Sequence, residues 1–263
     1  MRQMLKPLAF LLIAGFAITS CKKEAKETTQ DEISQEVLTQ IKDLGFSTSG
    51  VQKVDEGYLV EGDIVLTPDR LTERPTSPSL RIAEVEQYNT FNLVNGLPRT
   101  ITVSSSGSIS GSVSSAIDDA IGRYNAQNLR ITFTRVASAG EINIKIVNGG
   151  NYIASAGFPS GGDPYGEVKF NRQYQNYSAG FLATVISHEM GHCIGFRHTD
   201  WMNRAYSCGT GGSEGQQTTG VGAVLIPGTP SGPDSGSWML ACLSATTNRP
   251  FNNNDKTALN YLY

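Results

Sequence analysis

Three histidines occur in this 263-residue chain, His188, His192 and His198, and they fall within eleven residues of one another. They belong to the stretch His188-Glu189-Met190-Gly191-His192-Cys193-Ile194-Gly195-Phe196-Arg197-His198, which has the form H-E-x-x-H-x-x-G-x-x-H. On a helix, residues four apart project from one face, so His188 and His192 could grip one Zn²⁺. Glu189 stands one position round from His188, where its carboxylate would reach a metal-bound water without being a ligand. Gly195 can take the positive φ that ends a helix and turns the chain sharply. His198 can then approach the metal from a different direction. Three protein ligands leave one position open, which is the catalytic rather than the structural zinc arrangement. A helix with incidental histidines is the competing reading; it must explain why five fixed positions match while no histidine lies elsewhere.

Such a site needs a helix to hold it and a scaffold to hold the helix. Ser178 can cap a helix running through His192, with Phe181 and Val185 extending the face of the first two histidines back into a core. Ser112 to Asn125 fits an amphipathic helix, with Val113, Ile117, Ala120, Ile121 and Tyr124 on one face. Arg99 to Val103, Arg130 to Val136 and Glu141 to Val147 read as strands, the last alternating Ile142, Ile144 and Ile146 with polar residues. Gly166 to Asn171 reads as a short strand, either with an edge open to an extended substrate or as an ordinary buried strand. Strands followed by the site-bearing helix suggest an α+β domain.

The part upstream differs. Lys22 to Glu86 holds 8 basic and 14 acidic residues, whereas Gln87 to the end holds 11 and 10. Asp31 can cap a helix carrying Ile33, Val37, Ile41 and Leu44, with Gly45 as a stop, and Tyr58 to Leu66 reads as a strand. Thr67 to Ser79, with three prolines, reads as a linker. This segment is too short for much of a core of its own. Over the whole chain, 21 Lys and Arg stand against 24 Asp and Glu, which argues against a nucleic-acid partner.

The first thirty residues read as an export signal. Arg2 and Lys6 precede an eleven-residue apolar run, Leu8 to Ile18, shorter than the roughly 20 residues that span a bilayer. Ile18-Thr19-Ser20-Cys21 resembles the bacterial lipobox, which makes Cys21 the lipid-anchored first residue of the mature chain. With Lys22-Lys23-Glu24 following, the resemblance implies an outer-membrane or cell-surface lipoprotein. In an oxidising compartment, Cys208 and Cys242, both in loop or turn segments, are the favoured disulfide pair, and Cys193 is a buried helical thiol.

The extended motif resembles that of the metzincin metallopeptidases, and within them the bacterial dual-action HEIGH metallopeptidase family, related to astacins. His198-Thr199-Asp200-Trp201 and the closing stretch Asn254 to Tyr263 are similar to that family as well. The resemblance implies a metzincin-like catalytic domain with a twisted mixed sheet, active-site helix, Met-turn and C-terminal helix. It points to Ser237-Trp238-Met239 as the Met-turn, with Met202 a weaker candidate. Where many astacins place a zinc-reaching Tyr two residues after the turn Met, this chain has Ala241, so no such role is assigned.

Astacin propeptides present an F-x-G-D segment whose Asp occupies the open zinc position, and Val60-Glu61-Gly62-Asp63 resembles it with Val for the aromatic residue. A plain turn is the alternative for those four residues. The resulting organisation is a signal peptide over 1–20, a lipoprotein linker over 21–30, an inhibitory propeptide over 31–87 and the catalytic domain over 88–263. Activation would need a protease cutting between Thr67 and Gln87, with Arg70 and Arg81 the basic candidates.

The expected activity is zinc-dependent cleavage of protein or peptide substrates by one catalytic ion, with Glu189 as general base. Asp200 is a candidate to orient a ligand imidazole. Asp163 and Asp234 could meet Ca²⁺, without a recognised ligand spacing. A zinc-stabilised surface binding protein and a zinc amidase acting on cell-wall peptides remain alternatives.

Overall fold

A computed structural model describes residues 33–72, 87–213, 221–230 and 232–263. The export signal, Cys21, Asp31, Arg81 and most of the linker lie outside the described residues. Residues 33–263 form one compact unit.

Its frame is a five-stranded sheet built from β5 (Arg99–Ser106), β6 (Ile131–Arg135), β7 (Ile142–Val147), β8 (Ala154–Ser155) and β9 (Glu167–Asn171), in the order β6-β5-β7-β9-β8. The first four in that order are parallel, with Ile101 opposite Phe133 and Ile144 opposite Val168, and β8 returns antiparallel to β9. Parallel strands need crossovers, and α3 (Gly111–Asn125) supplies the one from β5 to β6. Its residues Val113, Ile117, Ala120, Ile121 and Tyr124 are all buried, as their helical spacing predicts.

Of the two readings of β9, an open edge and an ordinary buried strand, the second holds and the first does not. The strand lies between β7 and β8, because the chain between Val147 and Glu167 doubles back to add the two-residue strand Ala154–Ser155. So short a strand has no alternation to betray it in sequence. β8 is therefore the edge.

The central helix is α4 (Ala179–Cys193), whose cap Ser178 accepts the Phe181 N–H at 3.4 Å. Every residue from Phe181 to Cys193 is buried. A helix apolar all round belongs inside a core rather than on its surface. α3 is tied to it by the Tyr124 hydroxyl, which donates to the Ser187 carbonyl at 2.7 Å.

The chain leaves α4 through Gly195 at φ 109. A Cβ there would stand 2.7 Å from the Asn92 carbonyl oxygen and 2.8 Å from Leu93 Cδ2, so both conformation and space exclude a side chain. The chain closes with α6 (Asn253–Leu262), begun by a reciprocal capping box between Asn252 and Asp255. Asp255 also accepts from Gln87 Nε2 at 2.7 Å and from the Trp238 N–H at 3.4 Å. Burial raises its carboxyl to about 7.

The N-terminal segment packs on this frame. It consists of α1 (Gln35–Asp43), strands β1 (Gln52–Val54), β2 (Gly57–Val60) and β3 (Ile64–Leu66), and the short α2 (Pro68–Leu71). Ser34, not Asp31, caps α1. The single strand expected over Tyr58 to Leu66 is a hairpin, with Val60 opposite Ile64 around the turn Glu61-Gly62-Asp63. Ile41, Leu44, Phe46, Val60, Ile64, Leu66 and Leu71 form a small core completed by Phe158 and Val221 from the rest of the chain. The segment has too little apolar material alone and borrows the remainder.

Two outcomes follow for the fold. Gly195→Ala will lower stability by about 2 kcal/mol or more, read as a drop in the urea midpoint, because strain and a backbone clash act together. Ile41→Ala, emptying the centre of the small core, will cost about 2–5 kcal/mol and speed proteolysis of the N-terminal segment first.

Candidate metal centre

α4 presents His188 and His192 one turn apart, and the turn at Gly195 swings His198 back over them. His188 Nδ1 lies 2.8 Å from the Trp238 carbonyl oxygen, and His192 Nδ1 lies 2.8 Å from that of Phe196. A carbonyl only accepts, so each ring carries its proton on Nδ1 and leaves Nε2 as a bare lone pair. These Nε2 atoms converge: His192 to His188 is 3.1 Å, and His192 to His198 is 3.2 Å. The His188 and His192 lone pairs have no proton to share between them. A tetrahedral zinc at about 2.0–2.1 Å from each nitrogen would hold them about 3.3 Å apart, so the donors and their spacing fit one such ion.

The fourth donor comes from the hairpin turn. Asp63 Oδ2 lies 3.2 Å from His198 Nε2 and 3.6 Å from His188 Nε2. The four ligand atoms lie within 4.8 Å of one another, and they are the one group of this kind among the described residues. Burial, with two further imidazoles as neighbours, pushes the His192 imidazole well below its usual range, in keeping with the neutral, ligating form. For Asp63, burial works upward, but the neighbouring imidazoles, His198 foremost, outweigh it and hold the carboxyl well below normal.

Asp63 is delivered by strand pairing. Ala156 N–H donates to the Asp63 carbonyl at 2.9 Å, Val65 N–H donates to the Ala156 carbonyl at 2.7 Å, and Ile64 bridges Ala156 in parallel. The segment thus lies along the edge that β8 begins. Gly62 turns at φ 95 and places Asp63 over the imidazoles. Lys169 on β9 pairs with Glu56, which holds the base of the hairpin.

Glu189 is buried beside His188 in a cavity of about 200 Å³ that Asp63, Ala154, Arg204, Ala241 and Leu243 also line. Its Oε2 has no hydrogen-bond partner. Burial, and then the charge of Asp63, raise its carboxyl well above the ordinary value.

Met239 is fully buried, and a Cβ at Gly191 would stand 2.6 Å from its sulfur and 3.2 Å from Trp238 Nε1. Only glycine lets this turn approach the helix between the two histidines. The turn is clipped further by the Thr199 N–H, donating to the Met239 carbonyl at 2.9 Å, and by Trp238 Nε1, donating to the Ser187 carbonyl at 3.2 Å. Met202 is only partly buried and packs beside Trp201 in a separate small cluster.

Asp200 is wholly buried. Its oxygens accept from the Ala241 N–H at 3.0 Å and the Ser207 hydroxyl at 2.5 Å, so it joins the loop after His198 to the loop after Met239. The Cys208–Cys242 disulfide, with Cα atoms 5.1 Å apart, joins the same two loops, and Cys193 is a free, buried thiol. Asp163 pairs with Arg99 at 2.7 Å, and Asp234 accepts from Asn252, Asn254 and the Gly236 N–H. Both carboxylates are thus used within the protein, and calcium finds no support. Arg70 is buried, donating to the carbonyls of Phe158 and Pro159, so its side chain is withheld from a protease here.

Sequence reasoning left unassigned Gly191 and the two carbonyls that set the imidazole tautomers. Gly191 stood in the motif, but its reason is the distant Met239; the carbonyls have no side-chain signature.

The described architecture is similar to that of solved structures, at low identity. Myroilysin is 15% identical, with a TM-score of 0.45, and the match covers 65% of this chain and 96% of that one. High choriolytic enzyme 1, a hatching-enzyme zinc protease from the medaka fish Oryzias latipes, is 16% identical with a TM-score of 0.41, covering 66% and 93%. No curated protein matches the chain. Residues 58–263, from the hairpin that holds Asp63 to the last residue, match the dual-action HEIGH metallo-peptidase family. This chain, with its three converging imidazoles, belongs to that family of zinc metallopeptidases.

Proposed function

We propose that the chain is made as a latent endopeptidase whose own Asp63 closes the metal site, and that Glu189 is the general base once Asp63 departs. The observation that carries this reading is the placement of Asp63 Oδ2 at 3.2 Å from His198 Nε2, on a segment paired to the sheet edge.

His188, His192 and His198 would hold zinc. When bound, that ion supplies a Lewis acid that polarises the scissile carbonyl and lowers the pKa of a water toward about 7. Everything else belongs to the protein. With Asp63 in the fourth position, that water has no place and the chain is silent. Residues Asp63 to Val65 also occupy the edge at Ala156, to which an extended substrate could add as a strand. Removal of the segment would free both at once. Glu189, enclosed and with Oε2 unpartnered, then takes the proton from the attacking water and hands it to the leaving amine. Met239 and Gly191 form the floor that fixes the imidazoles.

Export and anchoring complete the reading. The apolar run Leu8 to Ile18 and the lipobox-like Ile18 to Cys21 support a lipoprotein on the outer surface of a bacterial cell, whose catalytic part is released when a protease cuts between the two parts.

Two substitutions test the assigned roles. Glu189→Gln will retain one zinc per chain by elemental analysis while lowering casein cleavage by about 10²–10⁴-fold; undiminished cleavage would remove Glu189 from the mechanism. Asp63→Ala will let the full-length chain cleave casein without prior processing, in a chelator-sensitive way. A full-length variant as silent as the parent, beside an active processed form, would overturn Asp63 as the inhibitor.

A further inference from the structure

The turn that delivers Asp63 is gripped at a second point. The Glu61 side chain is wholly enclosed, and its Oε2 lies 3.6 Å from Nη2 of the equally enclosed Arg197. Arg197 also stacks 4.2 Å over the Phe46 ring and donates to the Val221 carbonyl at 2.8 Å. Arg204 Nη1 donates to the Glu61 carbonyl. Both arginines belong to the part that carries the histidines, Arg197 being the residue before His198. Glu61 and Phe46 belong to the segment that lies over them.

The backbone of Glu61 adds an independent observation. It sits at φ 57, a left-handed conformation that Gly or Asn adopts readily and that costs other residues roughly 1–2 kcal/mol. A glutamate stands where the turn would prefer something else, and what it contributes there is a carboxylate facing a guanidinium. The segment crosses the three imidazoles from Arg204, which holds Glu61, to Ala156, which holds Asp63 and Val65. Glu61 and Arg204 both line the cavity beside Glu189, together with Ala241, Cys242 and Leu243.

We propose that Arg197 and Arg204 form an anionic subsite of the substrate cleft, filled by Glu61 in the latent chain and by an acidic side chain of the peptide substrate after the segment leaves. The proposal rests on the protease reading above. Removing the segment takes away both the carboxylate that faces Arg197 and the Phe46 ring that covers it, and so uncovers a guanidinium set to meet an anionic group. A substrate carboxylate restores the pair, whereas a neutral side chain does not. Arg197 supplies the fixed charge and Arg204, which is only partly buried, supplies a donor for the adjoining peptide carbonyl.

The test uses the full chain processed to activity and peptides identical but for Glu, Gln or Lys at each of three positions on either side of the scissile bond. Products are identified by mass spectrometry. At one position Glu will be preferred over Gln by about tenfold or more in kcat/KM, the size expected when a carboxylate rather than a neutral amide meets a partly desolvated guanidinium. Arg197→Gln will reduce that ratio toward one. Should Arg197→Gln fail to fold, Arg204→Glu answers instead, shifting the preference at that position from Glu toward Lys. Equal cleavage of Glu and Gln peptides at every position, by protein that cleaves casein in a chelator-sensitive way, would overturn the subsite alone. No chelator-sensitive cleavage of casein or of any peptide would overturn the protease reading and this proposal with it.

Discussion

Three imidazole nitrogens, that of His192 standing 3.1 Å from that of His188 and 3.2 Å from that of His198, set the terms for the rest of this molecule. The lone pairs of His188 and His192 held that close repel unless a cation lies between them, so the arrangement suits a ligand set, and the fold must supply the rigidity that keeps it. α4 supplies the spacing of His188 and His192, buried on every side so that it cannot turn about its axis. Gly195 supplies the sharp exit without which His198 could not return to the same point. The Trp238 and Phe196 carbonyls orient the rings by fixing where their protons reside.

The region around Met239 is the support for that arrangement. Its contact with α4 depends on Gly191 having no side chain, and its loops are fastened by Asp200, the disulfide and the Thr199 N–H. Asp255 reaches the same turn from the C-terminal helix through the Trp238 N–H, whose carbonyl in turn receives His188. Elements far apart in the chain thus act on one ring through a single residue. The five-stranded sheet contributes indirectly, by holding α3 and α4 together and by ending in the edge at which the N-terminal segment pairs.

The N-terminal segment is built like an occupant of the cleft rather than an independent domain. It borrows Phe158 and Val221 to finish its core, adds itself to the sheet edge, and places an acidic residue at each of two cationic points. Such a mode of attachment suits a temporary inhibitor. On the reading proposed above, its stability depends on contacts with the very groups that a substrate would use, and one surface would serve both latency and recognition.

Much of this was legible in the chain alone. The spacing of His188, His192 and His198, the capping serine at 178, the apolar face of α3 and the acidic shift upstream are local features, and local features are set by helix periodicity, backbone sterics and charge. The Asp63 turn could be named as a candidate through its resemblance to the astacin propeptide segment, and the Cys208–Cys242 pair because both lie in loop or turn segments of a chain read as exported. Other features depended on distant approaches that no window of sequence contains. β8 as the sheet edge, Met239 against Gly191, Asp200 between two loops and Glu61 against Arg197 are contacts between residues roughly 35 or more apart in most cases. The sequence by itself determined which side chains could bind a metal; the tertiary structure decided what holds them, what covers them and what charge faces the cleft, because those depend on packing across the whole core.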